Sequence, residues 1–175
     1  MKSINFLSGQ LFLRFFATVI ILAVYIFSAG AQTNVNGQLR MTKEEVLSAK
    51  TDGPAAPGSS NINGIQVIVI HGDPSVKGLY TILLKVPANT KIAAHLHPDD
   101  RVATVISGTW YFGYGDIFDK SKLRKLTAGS IYSEVGGQNH FAKTGNEPVV
   151  AEITGYGPSG VTYVNDADDP LKGRQ

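Results

Sequence analysis

Beyond residue 63, short apolar segments alternate with turns along the chain. Three of these segments, GIQVIVI, LYTILLKV and VATVIS, are rich in β-branched residues and are bounded by turn residues. The segments TWYFGYG, GSIYSEV, PVVAEITGYG and GVTYV repeat the pattern toward the C-terminus. Each segment has the length and composition of a β-strand. Short strands at this spacing predict an all-β sandwich or barrel.

One short helix is predicted before the strands, in MTKEEVLSAK (41–50). Thr42 and Glu45 are three residues apart and match a capping box. Val46 and Leu47 are available to pack inward. The helix ends before TDGPAAPGSS, whose Gly, Pro and Ser content predicts a loop.

The first 31 residues have the pattern of a signal peptide. Lys2 and Arg14 precede an unbroken apolar run over 15–27, and Ala29 and Ala31 have the spacing that signal peptidase recognises. We therefore expect cleavage after Ala31 and a periplasmic or secreted mature chain. An uncleaved membrane anchor is the alternative, although the apolar run is short for a span of about 20 residues.

The expected mature chain has balanced charge. Two of the 16 basic residues and none of the 14 acidic residues lie in the signal segment, so 14 of each remain. A neutral domain lacks the basic footprint of a nucleic-acid-binding protein. The basic stretch KSKLRKL predicts an edge strand protected by lysines. The absence of cysteine excludes a thiol nucleophile, a cysteine metal ligand and a lipid-modified N-terminal cysteine.

Three of the four histidines predict a metal site. His95 and His97 are two residues apart, so in a strand both face one side while Leu96 faces the other. His140 follows 43 residues after His97, at the end of a strand and turn marked by glycines. Imidazole suits Zn, Cu, Fe and Ni, and carboxylates shift the preference toward harder ions. His71, in HGDP, is interpreted as a turn residue.

The histidine pair resembles the first sequence motif of the cupin superfamily. That motif runs from a glycine through His-x-His to a glutamate and closes on a second glycine. His95, His97 and Gly108 match it, whereas the opening glycine is missing. Arg101 stands where the family has its glutamate.

The third histidine resembles the second motif of the same family. Gly129, Gly137 and His140 match its spacing. Val135 replaces a proline of the family pattern, and Thr144 replaces an asparagine. The gap between the two motifs, about twenty residues, also fits an all-β member of this superfamily.

The resemblance covers roughly 65–164 and implies a cupin-type double-stranded β-helix, or jelly-roll barrel. It implies that His95, His97 and His140 project inward to one divalent metal ion, which would be Fe, Mn, Ni, Cu or Zn. By analogy it also implies a homodimer formed through sheet edges. We expect four segments: a signal peptide, an N-terminal helix with linker, the barrel and a polar tail, at 1–31, 32–64, 65–164 and 165–175.

Arg101 is the departure with the largest consequence for the site. A guanidinium stays protonated and cannot bind a metal ion. If it points inward, Asp99, Asp100 and Glu134 are candidate partners, and a bound carboxylate or other anion is a fourth. It can also turn outward into a surface salt bridge. Cysteine dioxygenase and acetylacetone dioxygenase are cupins with three histidines and no glutamate, so the resemblance implies that a metal is retained.

Two further residues join Arg101 as candidates for catalysis. Tyr111 is a candidate hydrogen-bond donor or acid near the metal. Strand parity places Trp110, Phe112 and Tyr114 on one face and Tyr111 on the other, so only one set lines the pocket. Aromatic packing of the barrel wall is the alternative role. Gln138, two residues before the third histidine, is a candidate for orienting a substrate or a metal-bound water.

Three functions fit these residues. The first is an exported metal-dependent enzyme, favoured as an oxygenase, acting on a small organic molecule whose anionic group Arg101 holds. The second is a module that binds a small ligand or metal without catalysis. The third is a metal-free barrel with histidine acids and bases, as in sugar-nucleotide epimerases of similar fold. No nucleic-acid partner and no membrane contact after cleavage are expected.

Overall fold

The computed structural model describes residues 38–51 and 56–172, and the predicted signal peptide and its cleavage site lie outside them. Within these residues the chain forms one helix and ten strands: α1 Lys43–Ser48, β1 Gln66–His71, β2 Gly78–Val86, β3 Lys91–Leu96, β4 Arg101–Ser107, β5 Thr109–Tyr114, β6 Arg124–Thr127, β7 Ile131–Glu134, β8 His140–Thr144, β9 Val149–Gly157 and β10 Thr162–Tyr163. None of the helices in this described part is long and apolar enough to cross a membrane.

The strands form two antiparallel sheets of five strands each. The first sheet has the order β1-β2-β9-β4-β7 and the second the order β10-β3-β8-β5-β6. Neighbours such as β2 and β9 are far apart in sequence, so the chain crosses repeatedly between the sheets. This is the all-β architecture that the strand pattern predicts, in the form of the cupin-type double-stranded β-helix that the resemblance implies.

His140 follows the predicted strand and turn, which are β7 and residues 135–139, and it begins β8. One part of the strand prediction needs correction. The edge strand predicted in KSKLRKL starts later, since Lys120–Lys122 form a 3-10 turn and only Arg124–Thr127 pairs. That short strand does lie at the edge of the second sheet.

The main core lies between the two sheets. Alternate residues of each strand point inward, and large side chains such as Tyr80, Ile82, Trp110, Phe112 and Ile153 fill the interior. Each of these five is no more than 4% exposed. Full burial of such side chains is the main term that stabilises a disulfide-free fold. The same packing fixes the wall against which the histidines lie.

The N-terminal helix covers the outer face of the first sheet. The predicted capping box is confirmed: the Thr42 amide donates to Glu45 Oε2 at 2.7 Å, and the Glu45 amide to Thr42 Oγ1 at 3.3 Å. Val46 packs against a small cluster on β1 and β2. Leu47 is 38% exposed, because a six-residue helix presents only one narrow face to the sheet. Lys85 Nζ donates to the Leu47 carbonyl at 2.7 Å and so caps the C-terminal end.

Gly108 connects β4 to β5 in a conformation that requires glycine. Its φ is +80°, and a Cβ there would lie 2.2 Å from the Pro148 carbonyl oxygen. Gly129 has a similar φ of +86°, but no atom of the described residues lies within 4 Å of a Cβ built there. A side chain at Gly129 would therefore cause backbone strain alone, whereas one at Gly108 would cause both strain and steric overlap.

We expect Gly129→Ala to lower the free energy of unfolding by about 1–2 kcal/mol, the cost of a left-handed alanine. Gly108→Ala should lower it by roughly twice as much or more, because the backbone must also move away from the new methyl group. Urea unfolding of both variants measures the difference. Equal losses would mean that the overlap at Gly108 is relieved without cost.

Candidate metal centre

Two strands of the second sheet bring the three histidines together. His95 on β3 pairs directly with His140 on β8, and His97 follows at the end of β3. An irregularity between Ile92 and His95 shifts the inward face of β3 so that both histidines of the pair point inside. Leu96 is more exposed than either neighbour, as the alternation predicts. The histidines are 5%, 2% and 2% exposed, in chain order.

One nitrogen of each ring converges on a common point. The three potential ligand atoms of His95, His97 and His140 lie within 4.8 Å of one another. The ring centroids are 5.0 Å apart for His95 and His97, and 4.4 Å apart for His95 and His140. This spacing is compatible with three nitrogens around one ion at about 2.0–2.1 Å each after small adjustments.

Backbone carbonyls set the tautomer of all three rings. His95 Nδ1 lies 2.8 Å from the Ala93 oxygen, His97 Nδ1 2.5 Å from the Gly160 oxygen, and His140 Nδ1 3.3 Å from the Gln138 oxygen. A carbonyl only accepts, so each Nδ1 carries the proton and each Nε2 keeps its lone pair. Nε2 of His97 and of His140 is buried and has no hydrogen-bond partner within the described part of the chain. These side chains therefore fit a metal ion, because a cation would satisfy the lone pairs of these nitrogens.

Burial keeps the three rings neutral. It lowers the pKa of His95 to about 4 and that of His97 to about 2, and it lowers the pKa of His140 as well. The charge of Arg101 also lowers the pKa of each ring. Neutral imidazole is the form that binds metal ions. At neutral pH the site therefore needs no proton release from its histidines before an ion enters.

Arg101 points inward and pairs with Glu134. The two residues are cross-strand neighbours on β4 and β7, each 4% exposed. Arg101 Nε donates to Glu134 Oε2 at 2.6 Å, and Nη2 contacts the same oxygen. Of the other candidate partners, Asp99 accepts from the Tyr80 hydroxyl at 2.6 Å and Asp100 from the Gly136 amide at 2.8 Å. The outward salt bridge is not formed.

The pair is ionised despite its burial. Burial alone would raise the pKa of Glu134, but Arg101 and the three histidines together reverse this effect and lower the pKa to about 2. Burial would lower the pKa of Arg101, but Glu134, Tyr80 and Asp99 together reverse this effect, so the arginine pKa is raised. The two charges cancel beside three neutral rings.

A small cavity adjoins the histidines. It offers about 30 Å³ of space for the centres of water-sized molecules, enough for only one or two waters or an ion. Arg101 and Glu134 line its polar end, and Trp110 and Phe112 belong to its apolar wall. Phe112 also lines a solvent-open groove of about 680 Å³ on the outside of the barrel. The structure thus separates a tight inner cavity from a larger outer space.

Two predicted catalytic residues do not reach this cavity. Tyr111 lies on the opposite face of β5 from Trp110 and Phe112, and Lys143 Nζ sits 4.9 Å above its ring. The side chain of Gln138 is exposed, and only its backbone carbonyl serves the site, through His140. Strand parity indicated that one aromatic set would face inward, and the inner set is Trp110 and Phe112.

Glu134 was considered from the sequence only as a partner of the arginine, and its place beside the histidines was missed.

We expect the metal-free protein to lose stability as the pH falls below about 6.5, the ordinary pKa of histidine. Between that value and the lowered pKa of each buried ring, the unfolded chain binds protons that the folded state does not. The free energy of unfolding should therefore fall by up to about 1.4 kcal/mol per pH unit for each histidine. Urea unfolding with a chelator, from about pH 7.5 to about pH 5, measures the slope. A level profile would contradict burial of neutral rings.

Comparison with known proteins identifies the fold. No family model matches this sequence, and no curated protein matches it. The polyketide cyclase RemF from Streptomyces resistomycificus is 15% identical, with a TM-score of 0.58 over 77% of this chain and 91% of the cyclase. An uncharacterised protein with a double-stranded β-helix domain from Klebsiella pneumoniae is 23% identical, with a TM-score of 0.50 over 70% of this chain and 94% of that one.

A third similar structure is named as a lyase, whereas the first is named as a cyclase. The DMSP lyase DddQ from Ruegeria pomeroyi is 17% identical, with a TM-score of 0.50 over 72% of this chain and 60% of the lyase. Identities this low establish a shared fold alone. The function must therefore be argued from the residues of the site.

Proposed function

We propose that this cupin-type barrel binds one divalent metal ion through His95, His97 and His140 and acts on a small organic molecule as an oxygenase. The observation that supports the metal is the convergence of three buried histidines, each of which has its Nδ1 against a backbone carbonyl. Candidate ions are Fe, Mn, Ni, Cu and Zn, and imidazole suits all of them except Mn, which prefers oxygen ligands. Bound there, such an ion supplies a Lewis acid with open positions for a substrate oxygen.

Charge favours an anionic substrate. Arg101 and Glu134 neutralise each other, and the three histidines are neutral, so the positive charge of a divalent ion would remain uncompensated. Arg101 Nη1 is buried and has no hydrogen-bond partner among the described residues. A carboxylate or enolate oxygen would satisfy that donor and balance the charge.

The walls of the site favour a substrate with an apolar body. Trp110 and Phe112 line the same cavity as the histidines, so a substrate with a polar group at the histidines would also have apolar contacts. The inner cavity holds only a few atoms, and a larger substrate would need more space than it provides.

The second candidate is a module that binds a metal or small ligand without catalysis. The small volume of the inner cavity favours it, because a site closed to substrate has a structural or storage role. In either case we propose a periplasmic or secreted location, which rests on the N-terminal sequence pattern. Pairing into a homodimer rests on the resemblance to cupins.

Azide binding to the cobalt-loaded protein distinguishes the two candidates. For an enzyme we expect a saturable change in the visible absorption of Co²⁺, because an exchangeable position lies open beside Arg101. A His140→Ala variant treated in parallel should show neither the cobalt spectrum nor the azide response. A cobalt spectrum that azide leaves unchanged would indicate a closed site and favour the binding module.

A further inference from the structure

The side chain of Glu134 faces the histidine nitrogens directly. Its Oε2 lies 3.8 Å from His97 Nε2, and its Oε1 lies 3.8 Å from His140 Nε2. These distances are too long for hydrogen bonds. With Nδ1 protonated, each Nε2 is an acceptor, and an ionised carboxylate only accepts. Acceptors therefore face each other across a buried space, and neither Nε2 has a hydrogen-bond partner among residues 38–51 and 56–172. This is the electrostatic arrangement of a cation site.

Arg101 occupies one oxygen of the carboxylate and leaves the other directed at the histidines. Nε and Nη2 of its guanidinium both contact Oε2. Oε1 is the oxygen nearest His140. A donor that holds one carboxylate oxygen orients the other oxygen toward a metal ion and limits its motion. Arg101 is thus placed behind Glu134 and orients it.

The strand register explains how Glu134 reaches this position. Position 101, where the cupin motif has its glutamate, pairs directly with position 134 on the adjacent strand. Side chains of directly paired residues stand on the same face, about 5 Å apart at Cβ. A carboxylate on β7 therefore extends into nearly the same space as one on β4.

We infer that Glu134 is the fourth metal ligand of this site, supplied by β7 in place of the residue at position 101, with Arg101 as its positioning residue. The inference rests on the proposed metal site and extends it. Three imidazoles and one carboxylate would then hold the ion. The ligand set also includes a hard oxygen, which three histidines alone would lack.

The test compares a hard ion with a softer one. Dissociation constants for Mn²⁺ and Cu²⁺ are measured on the parent, on Glu134→Gln and on Asp100→Asn. Loss of a carboxylate ligand should weaken Mn²⁺ binding by about 100-fold, and by at least about tenfold more than Cu²⁺ binding, because Mn²⁺ depends more on oxygen ligands. Asp100→Asn removes the same charge from an exposed neighbour and should stay within about threefold of the parent.

A second variant guards against misfolding of Glu134→Gln. Glu134→Asp keeps the charge beside Arg101 but draws the oxygens back by one methylene, so a ligand role predicts weaker Mn²⁺ binding by about tenfold or more. If Glu134 only balances the arginine, Glu134→Asp binds Mn²⁺ like the parent, and that result overturns the inference. Equal losses for Mn²⁺ and Cu²⁺ in Glu134→Gln also overturn it. A parent that binds neither ion overturns the proposed function together with this inference.

Discussion

The His95→Ala/His97→Ala variant is expected to contain no metal, whereas the parent purified beside it carries about one equivalent. The double substitution removes two of the three converging nitrogens and leaves His140 as the single imidazole of the site. Even with Glu134 as a further ligand, only two protein ligands would remain, too few to retain the ion. Elemental analysis of protein purified without a metal-binding affinity tag measures the effect.

His71→Ala is the matched control for this loss. His71 is exposed at the end of β1, outside the histidine group, so its removal should leave the metal content unchanged. Iron in the parent would direct further work to oxygenase assays, and zinc to hydrolysis or a structural role. Absence of metal from the parent, with added ions also failing to bind, would contradict the metal site and leave a ligand-binding barrel around Arg101.

The fold was predictable because its determinants are local. Apolar segments, turn residues and the capping box at Thr42 and Glu45 each depend on a few consecutive positions. The grouping of His95 with His97 also follows from strand alternation over three residues. Their meeting with His140 followed from the resemblance to the two cupin motifs, since single-sequence patterns do not specify which strands pair.

The arrangement of Arg101 and Glu134 was not predictable because it depends on long-range pairing. These residues are 33 positions apart, and only the register of β4 against β7 brings them together. From the sequence alone, Asp99, Asp100 and Glu134 were all possible partners of Arg101, and nothing local favoured one of them. Alternation likewise separated Tyr111 from Phe112, but it could not say which of the two faced the interior. That choice depends on the packing of β5 between β6 and β8.

Arg101→Met is expected to lower the free energy of unfolding of the metal-free protein by about 3–5 kcal/mol. The substitution fills a similar volume but leaves Glu134 as a buried charge without its partner, and that unpaired charge is the source of the loss. With the arginine gone, burial would raise the pKa of Glu134. The folded variant would then gain a proton more readily than the unfolded chain, so its deficit relative to the parent should shrink as the pH falls.

The double variant Arg101→Met/Glu134→Leu separates an unpaired charge from a loss of packing. Replacement of a whole buried ion pair by apolar side chains is often neutral or stabilising, so most of the stability should return. Urea unfolding with a chelator present measures the free energy of unfolding of the parent, the single variant and the double variant, and their differences are then compared. If the double variant is as unstable as Arg101→Met, the arginine contributes through its packing and other contacts, and the pairing with Glu134 is not what stabilises this end of the barrel.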